Sequence, residues 1–114
     1  MTNSIREIVD VPVIFVIGSN TTESHPVISY HMKRAVKKGS RLIVADPRKI
    51  ALTRWAARHF QHKVGSDIAL LNAVMHEIIR NEWHDRYFID NHTEGFDHLK
   101  ETVSMYTPEY ASAI

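Results

Sequence analysis

Three short polar clusters hold the residues best suited to grip a ligand: Gly18 to His25, Asp46-Pro47-Arg48, and Lys63 to Asp67. In the first, Gly18 lets the main chain turn tightly and come close to a ligand. Ser19, Asn20, Thr21 and Thr22 add amide and hydroxyl donors beside a helix amino terminus, where free N–H groups favour phosphate. In the second, Asp46 stands where a carboxylate accepts from ribose hydroxyls or base N–H groups, and Arg48 offers forked donors to phosphate. The spacing of the three clusters points to one nucleotide-like ligand. Taken singly, each has a plainer reading. Gly-Ser-Asn is common turn composition, Asp46-Pro47 can end a strand, and Gly65-Ser66-Asp67 opens a helix.

Other chemistries lack their residues. There is no G-x-G-x-x-G for a nicotinamide or flavin dinucleotide, no G-x-x-x-x-G-K-[ST] phosphate loop and no G-x-S-x-G nucleophile elbow. Zero cysteines exclude disulfides, cysteine-ligated zinc, iron–sulfur ligation and thiol nucleophiles, and fit the reducing cytoplasm expected for this chain. Eight histidines invite a metal site, but no H-x-x-x-H pair comes with a carboxylate, so surface and capping roles are the better account. His59 and His62, three apart on a strand, would point to opposite faces. Trp55, with Arg54 and Arg58 beside it, can stack on a base or anchor a short helix, and the second is commoner.

The loops need elements to carry them. Val11 to Gly18 is a continuous β-branched run that reads as a parallel strand covered on both faces. Ser19 to Glu23 is a polar turn. From Pro26, Ile28, Met32, Ala35 and Val36 share one helical face, and Gly39 stops the helix. Arg41 to Pro47 is a second strand, so residues 11–47 form one right-handed βαβ unit. A short segment, helical around Leu52 to Ala57, leads to a third strand at His59 to Val64. A helix then opens at Gly65-Ser66-Asp67, capped by Ser66 or Asp67, with Ile68, Leu71, Met75, Ile78 and Ile79 along one face. Helical segments follow near Asp85 to Asp90 and Gly95 to Tyr106, and Thr107-Pro108-Glu109 starts another. The fold class is α/β: a Rossmann-like open, mostly parallel sheet with helices on both faces. In such sheets ligands bind beyond the carboxyl ends of the strands, where all three polar loops are expected.

At 114 residues the chain has room for one domain, and 44% apolar with 24% charged residues is ordinary globular composition. A net charge of +1 gives no bulk field for nucleic acid or acidic lipid. No run is long and apolar enough for a membrane span, and Met1 to Asp10 lacks the pattern of a signal peptide.

The segments VIFVIGSNTTESHPVISYHMKRAVKKGSRLIVADPRKI, HKVGSDIALLNAVMHEII and YFIDNHTEGFDHLKETVSMYTPE resemble the catalytic subunit of molybdenum- or tungsten-dependent formate dehydrogenases. These belong to the dimethyl sulfoxide reductase family of molybdopterin oxidoreductases. The resemblance runs from Met1-Thr2-Asn3-Ser4-Ile5 to about Glu109. It implies a domain holding one of two molybdopterin guanine dinucleotides. Carried over by motif, Gly18, Ser19 and Asn20 approach the cofactor phosphates, with Glu23, Ser24 and His25 nearby. Asp46, Pro47 and Arg48 meet the guanosine end, and Gly65, Ser66 and Asp67 close on the guanine or ribose side. Val64 departs from the proline common before that glycine.

The resemblance also implies what stands outside the chain. The metal's cysteine or selenocysteine ligand, its histidine neighbour and the iron–sulfur cluster would lie upstream of Met1. An active-site arginine and a second cofactor domain would lie downstream of Ile114. The expectation is therefore an excised or separately encoded fragment, inactive alone. Its partners would be the remaining domains of the parent subunit and the parent's electron-transfer subunits, with no nucleic acid. The alternative is a non-enzymatic Rossmann-like module that binds a partner protein.

Overall fold

The computed structural model describes residues 4–114; Met1, Thr2 and Asn3, where the resemblance begins, lie outside the described residues. The chain packs as two compact units, the first ending at His62 and the second spanning Lys63–Ile114.

The first unit is a parallel sheet of three strands in the order β1 (Val13–Ile17), β2 (Arg41–Ala45), β3 (Arg58–Phe60). Ile17 stands opposite Ala45, and Ala45 opposite Phe60, so the carboxyl ends of all three strands are level. Between β1 and β2 the chain forms α1 (Thr21–Ser24) and the crossover helix α2 (Pro26–Lys37). Pro26, with its fixed φ and no N–H, occupies the first turn of α2. Gly39 then takes φ +109°, a conformation that costs other residues, and its N–H bonds Val36 O at 3.0 Å. The core joins Ile14, Val16, Leu42 and Val44 from one sheet face to Met32 and Ala35 of α2. Ile50 and Leu52 of the β2–β3 connection complete it. That connection is a 3-10 helix at Ala51–Trp55. A second one, Ile5–Asp10, begins at Ser4, whose Oγ accepts from Arg6 N at 3.3 Å.

Two sequence expectations change in this unit. The apolar run of β1 calls for cover on both faces, but Val13 and Phe15 remain 52% and 46% exposed, with Phe60 beside them at 45%. The residues of that face are apolar enough for a buried sheet; the chain packs α2 and the 3-10 segments on the other. The third strand also stops at Phe60 and does not reach Val64. Beyond Phe60 the backbone leaves the ladder, and Val64 is exposed in the turn before Gly65.

The second unit is helical: α3 (Asp67–Arg80), α4 (Arg86–His92), α5 (Phe96–Val103) and α6 (Pro108–Ala113). Asp85 and Thr107 cap α4 and α6 by accepting from Phe88 N at 3.0 Å and Tyr110 N at 3.2 Å. α3 packs against α5 and α6 through Ala69 and the fully buried Val103, and His76 Nδ1 donates to Val103 O at 3.0 Å. The expected stripe is only partly used, since Ile68, Leu71 and Ile78 are exposed. Its pattern is amphipathic, but α5 presents few large apolar side chains to cover it. No helix among the described residues is long and apolar enough to cross a membrane.

Candidate functional site

The loop after β1 begins by extending the ladder, with Gly18 N donating to Ala45 O at 3.0 Å. Gly18 then turns at φ +58°, and the space a Cβ would enter is open. A side chain would be strained by that backbone and would occupy room a ligand could use. The polar turn expected at Ser19 to Glu23 instead winds into the single turn of α1, because Glu23 N and Ser24 N both donate to Asn20 O, at 3.1 and 3.0 Å. Ser24 Oγ donates to the same carbonyl at 2.9 Å, and His25 Nδ1 lies 3.0 Å from Ser24 Oγ. Thr21 is buried, and Thr22 Oγ1 lies 3.3 Å from the buried Ser29 Oγ of α2, which ties the turn to the crossover helix.

Glu23, Ser24 and His25 face solvent, while Ser19 and Asn20 are half-buried. Asn20 carries the informative atom. Its Oδ1 is buried with no hydrogen-bond partner, and it sits where the loop leaves the sheet. An orphaned amide oxygen costs free energy, and a donor supplied by a ligand would remove that cost.

The second loop lies on the same edge by register, since β2 ends at Ala45 opposite the last residue of β1. Asp46 is 2% exposed, and its Oδ1 accepts from Arg48 N at 2.8 Å and Arg48 Nε at 3.4 Å. The carboxylate expected to face a ribose therefore turns inward onto Arg48, whose side chain is largely exposed and available. Two residues missed by sequence reasoning hold this loop. His59 Nε2 donates to Asp46 O at 2.9 Å, and Gln61 Nε2 donates to Pro47 O at 2.9 Å. Asp46 N closes the set by donating to Phe60 O at 3.2 Å. His59 thus has a structural partner in the loop that follows β2. His62, beyond the end of β3, is not its strand neighbour on the opposite face. Only the polar character of β3 hinted at these bonds, and that hint is weak.

In the second unit, Gly65 turns at φ +86° ahead of α3. Ser66 occupies the N-cap position, but its hydroxyl donates to Lys63 O at 2.7 Å and does not cap the helix as expected. Asp67 opens the first turn, where a carboxylate suits the helix dipole. Among the described residues there is no group of three or more His, Asp or Glu placed to hold a metal ion.

Comparison with known proteins gives these loops a context. A family model described as molybdopterin oxidoreductase matches residues 1–107. The chain belongs to that family. It is 46% identical over 114 residues to F420-dependent formate dehydrogenase 1 subunit alpha of Methanococcus maripaludis, covering all of this chain and 17% of that protein. It is 44% identical over 109 residues to formate dehydrogenase H of Escherichia coli, covering 96% of this chain and 15% of that one. Among solved structures, acetylene hydratase from Pelobacter acetylenicus matches 90% of this chain and 14% of its own, with a TM-score of 0.82 at 31% identity. The chain thus spans about one-sixth of the length of the curated relatives it matches.

The family implies a molybdopterin cofactor. The donor set of the first unit fits the polar, phosphate-bearing part of such a molecule. It combines an open glycine turn with a guanidinium on Arg48 anchored from behind by a buried carboxylate. The unpartnered amide oxygen on Asn20 is an acceptor and suits a hydroxyl or N–H of the ligand, not its phosphates.

Proposed function

We propose that this chain is the part of a formate dehydrogenase alpha subunit that binds one molybdopterin guanine dinucleotide. The reading rests on the family match joined to one observation, the pairing of buried Asp46 with exposed Arg48 at the carboxyl edge of the sheet. In this reading Gly18, Ser19 and Asn20 receive the phosphates, and Glu23, Ser24 and His25 line the approach. Arg48 meets the guanosine end, oriented by Asp46 and by Pro47, whose carbonyl Gln61 holds. Asp46 is a positioning residue here, fixing the guanidinium from within. Gly65, Ser66 and Asp67 remain proposed cofactor contacts of the second unit on the strength of the resemblance.

The cofactor supplies a pterin dithiolene that carries molybdenum or tungsten, the redox-active group of the parent enzyme. The chain's own residues bind and orient; none of them is assigned a catalytic role. The parent reaction removes two electrons and a proton from formate to leave carbon dioxide, with the electrons passed onward through an iron–sulfur cluster and partner subunits. Formate is favoured as substrate because identity to the formate dehydrogenases exceeds identity to the hydratase.

Guanosine diphosphate provides the test, since it carries the end of the cofactor these loops would hold. Calorimetric titration should show binding to the purified chain, weakened about tenfold or more by Arg48→Ala, the loss expected for a charge-assisted hydrogen bond. An unchanged affinity in that variant would overturn the assignment. The purified chain should also release no electrons from formate to an artificial acceptor.

A further inference from the structure

The charge of the chain is divided unevenly. Residues 1–62 contain ten Lys and Arg against four Asp and Glu, a net +6, while residues 63–114 contain four against nine, a net −5. In the first unit the excess is concentrated on the second half of α2. Lys33 and Lys37, one turn apart, each hold an ammonium over the Trp55 ring, at 5.9 and 5.8 Å from its centroid. Arg34 and Lys38 form a second like-charged pair at the same spacing.

Bases near a helix carboxyl end suit its dipole, which accounts for one or two of them. It does not account for two parallel rows in which, among the described residues, only Lys38 has an acid, Asp10 at 2.9 Å. At the carboxyl end of α2, where Lys38 reaches it, lies an open groove of about 660 Å³ at the amino edge of the sheet. Val11, Pro12 and Val13 give it an apolar side; its charged side holds Arg41 together with Lys38 and Asp10, which pair with each other. Its backbone is tied by Ser40 Oγ to Val11 O at 2.6 Å and by Arg41 N to Pro12 O at 2.9 Å. This is the opposite end of α2 from Pro26 and the loop at Gly18 to His25.

We propose that this groove and the lysine face of α2 dock an acidic segment of a partner protein. The uncompensated cations select carboxylates, and the apolar side selects a polypeptide with aliphatic residues between its acids, which nucleic acid cannot offer. Trp55 preorganises Lys33 and Lys37, so less side-chain freedom is lost on docking.

The test uses the 114-residue chain and a fluorescent peptide of repeated Glu-Glu-Leu-Leu. Binding should weaken steeply with added salt and fall about tenfold in K33E/K37E. The peptide should shift the Trp55 indole N–H resonance and leave Trp83 unmoved. If circular dichroism shows that K33E/K37E does not fold, Arg41→Glu reports on the groove by itself. Equal affinity in a folded variant, or shifts confined to Gly18 to His25, would overturn the proposal. Equal or tighter binding of oligothymidylate would do so in favour of nucleic acid. Self-association abolished by K33E/K37E, with no peptide binding, would do so in favour of a second copy.

Discussion

Among the described residues, ten apolar side chains of the first unit, from Val9 to Leu52, are withdrawn from water; in the second unit only Ala69 and Val103 are. Both units have regular secondary structure of comparable quality, with capped helices in the second and a level parallel sheet in the first. What separates them is what the elements have to pack against. In the first, β1 and β2 each offer alternate residues to α2 and to the Ile50–Leu52 turn, and the core closes. In the second, α3 has an apolar stripe, but the short helices after it leave Ile68, Leu71 and Ile78 in water. The candidate cofactor loops at Gly18 and Asp46 therefore sit on the better-packed frame, which suits residues that must hold a ligand without first being ordered by it.

That contrast can be broken by substitution. Leu42→Ala removes a fully buried side chain from the centre of the sheet and should cost roughly 2–5 kcal/mol in denaturant unfolding followed by Trp55 emission. Val103→Ala, the corresponding change in the second unit, should cost about 1–2 kcal/mol, with faster amide exchange in α3 and α5 and little change in β1 or β2. If the two substitutions cost the same, the difference in packing does not govern stability. Thr107→Ala removes the cap of α6 and should cost about 1 kcal/mol, read as increased exchange at Tyr110.

The smallest effect concerns Glu109. Its carboxyl is held below the usual carboxylate range first by a hydrogen bond from its own backbone amide and then by the Thr107 side chain. A lowered pKa in the folded chain means a contribution present above the unfolded value and lost as pH falls through the folded one. Because the group lies at the surface, an acid titration by NMR should show the lowered midpoint and almost no change in overall stability.

Much of the first unit was legible because its signals are local. The β-branched run of β1, Pro26 at the start of α2, Gly39 at its end and the Arg41–Ala45 strand depend on residues close in sequence, and each formed where its pattern lay. The polar segments after β1 and β2 leave the sheet where their composition marks a turn, for the same reason. Their interior was not legible in this way. The turn of the Asp46 carboxylate onto Arg48 is local, but it is a choice of side-chain direction that residue types do not fix. That His59 and Gln61 hold the carbonyls of Asp46 and Pro47 depends on β3 lying beside β2. The end of β3 at Phe60 and the exposed face at Val13 and Phe15 share that dependence. Periodicity shows which faces are apolar and leaves open what covers them. Ser66 shows the same limit on a smaller scale: its type and position mark a cap, but its hydroxyl found Lys63 O first.

The central claim is that the first unit holds the nucleotide end of the cofactor at its Gly18 and Asp46 loops. The most direct measurement is an amide-resolved NMR titration of the chain with guanosine diphosphate. Saturable shifts should gather at Gly18 to His25 and at Arg48, with β1 and β2 otherwise unmoved. Shifts confined to the helices between Arg86 and Val103 would contradict it.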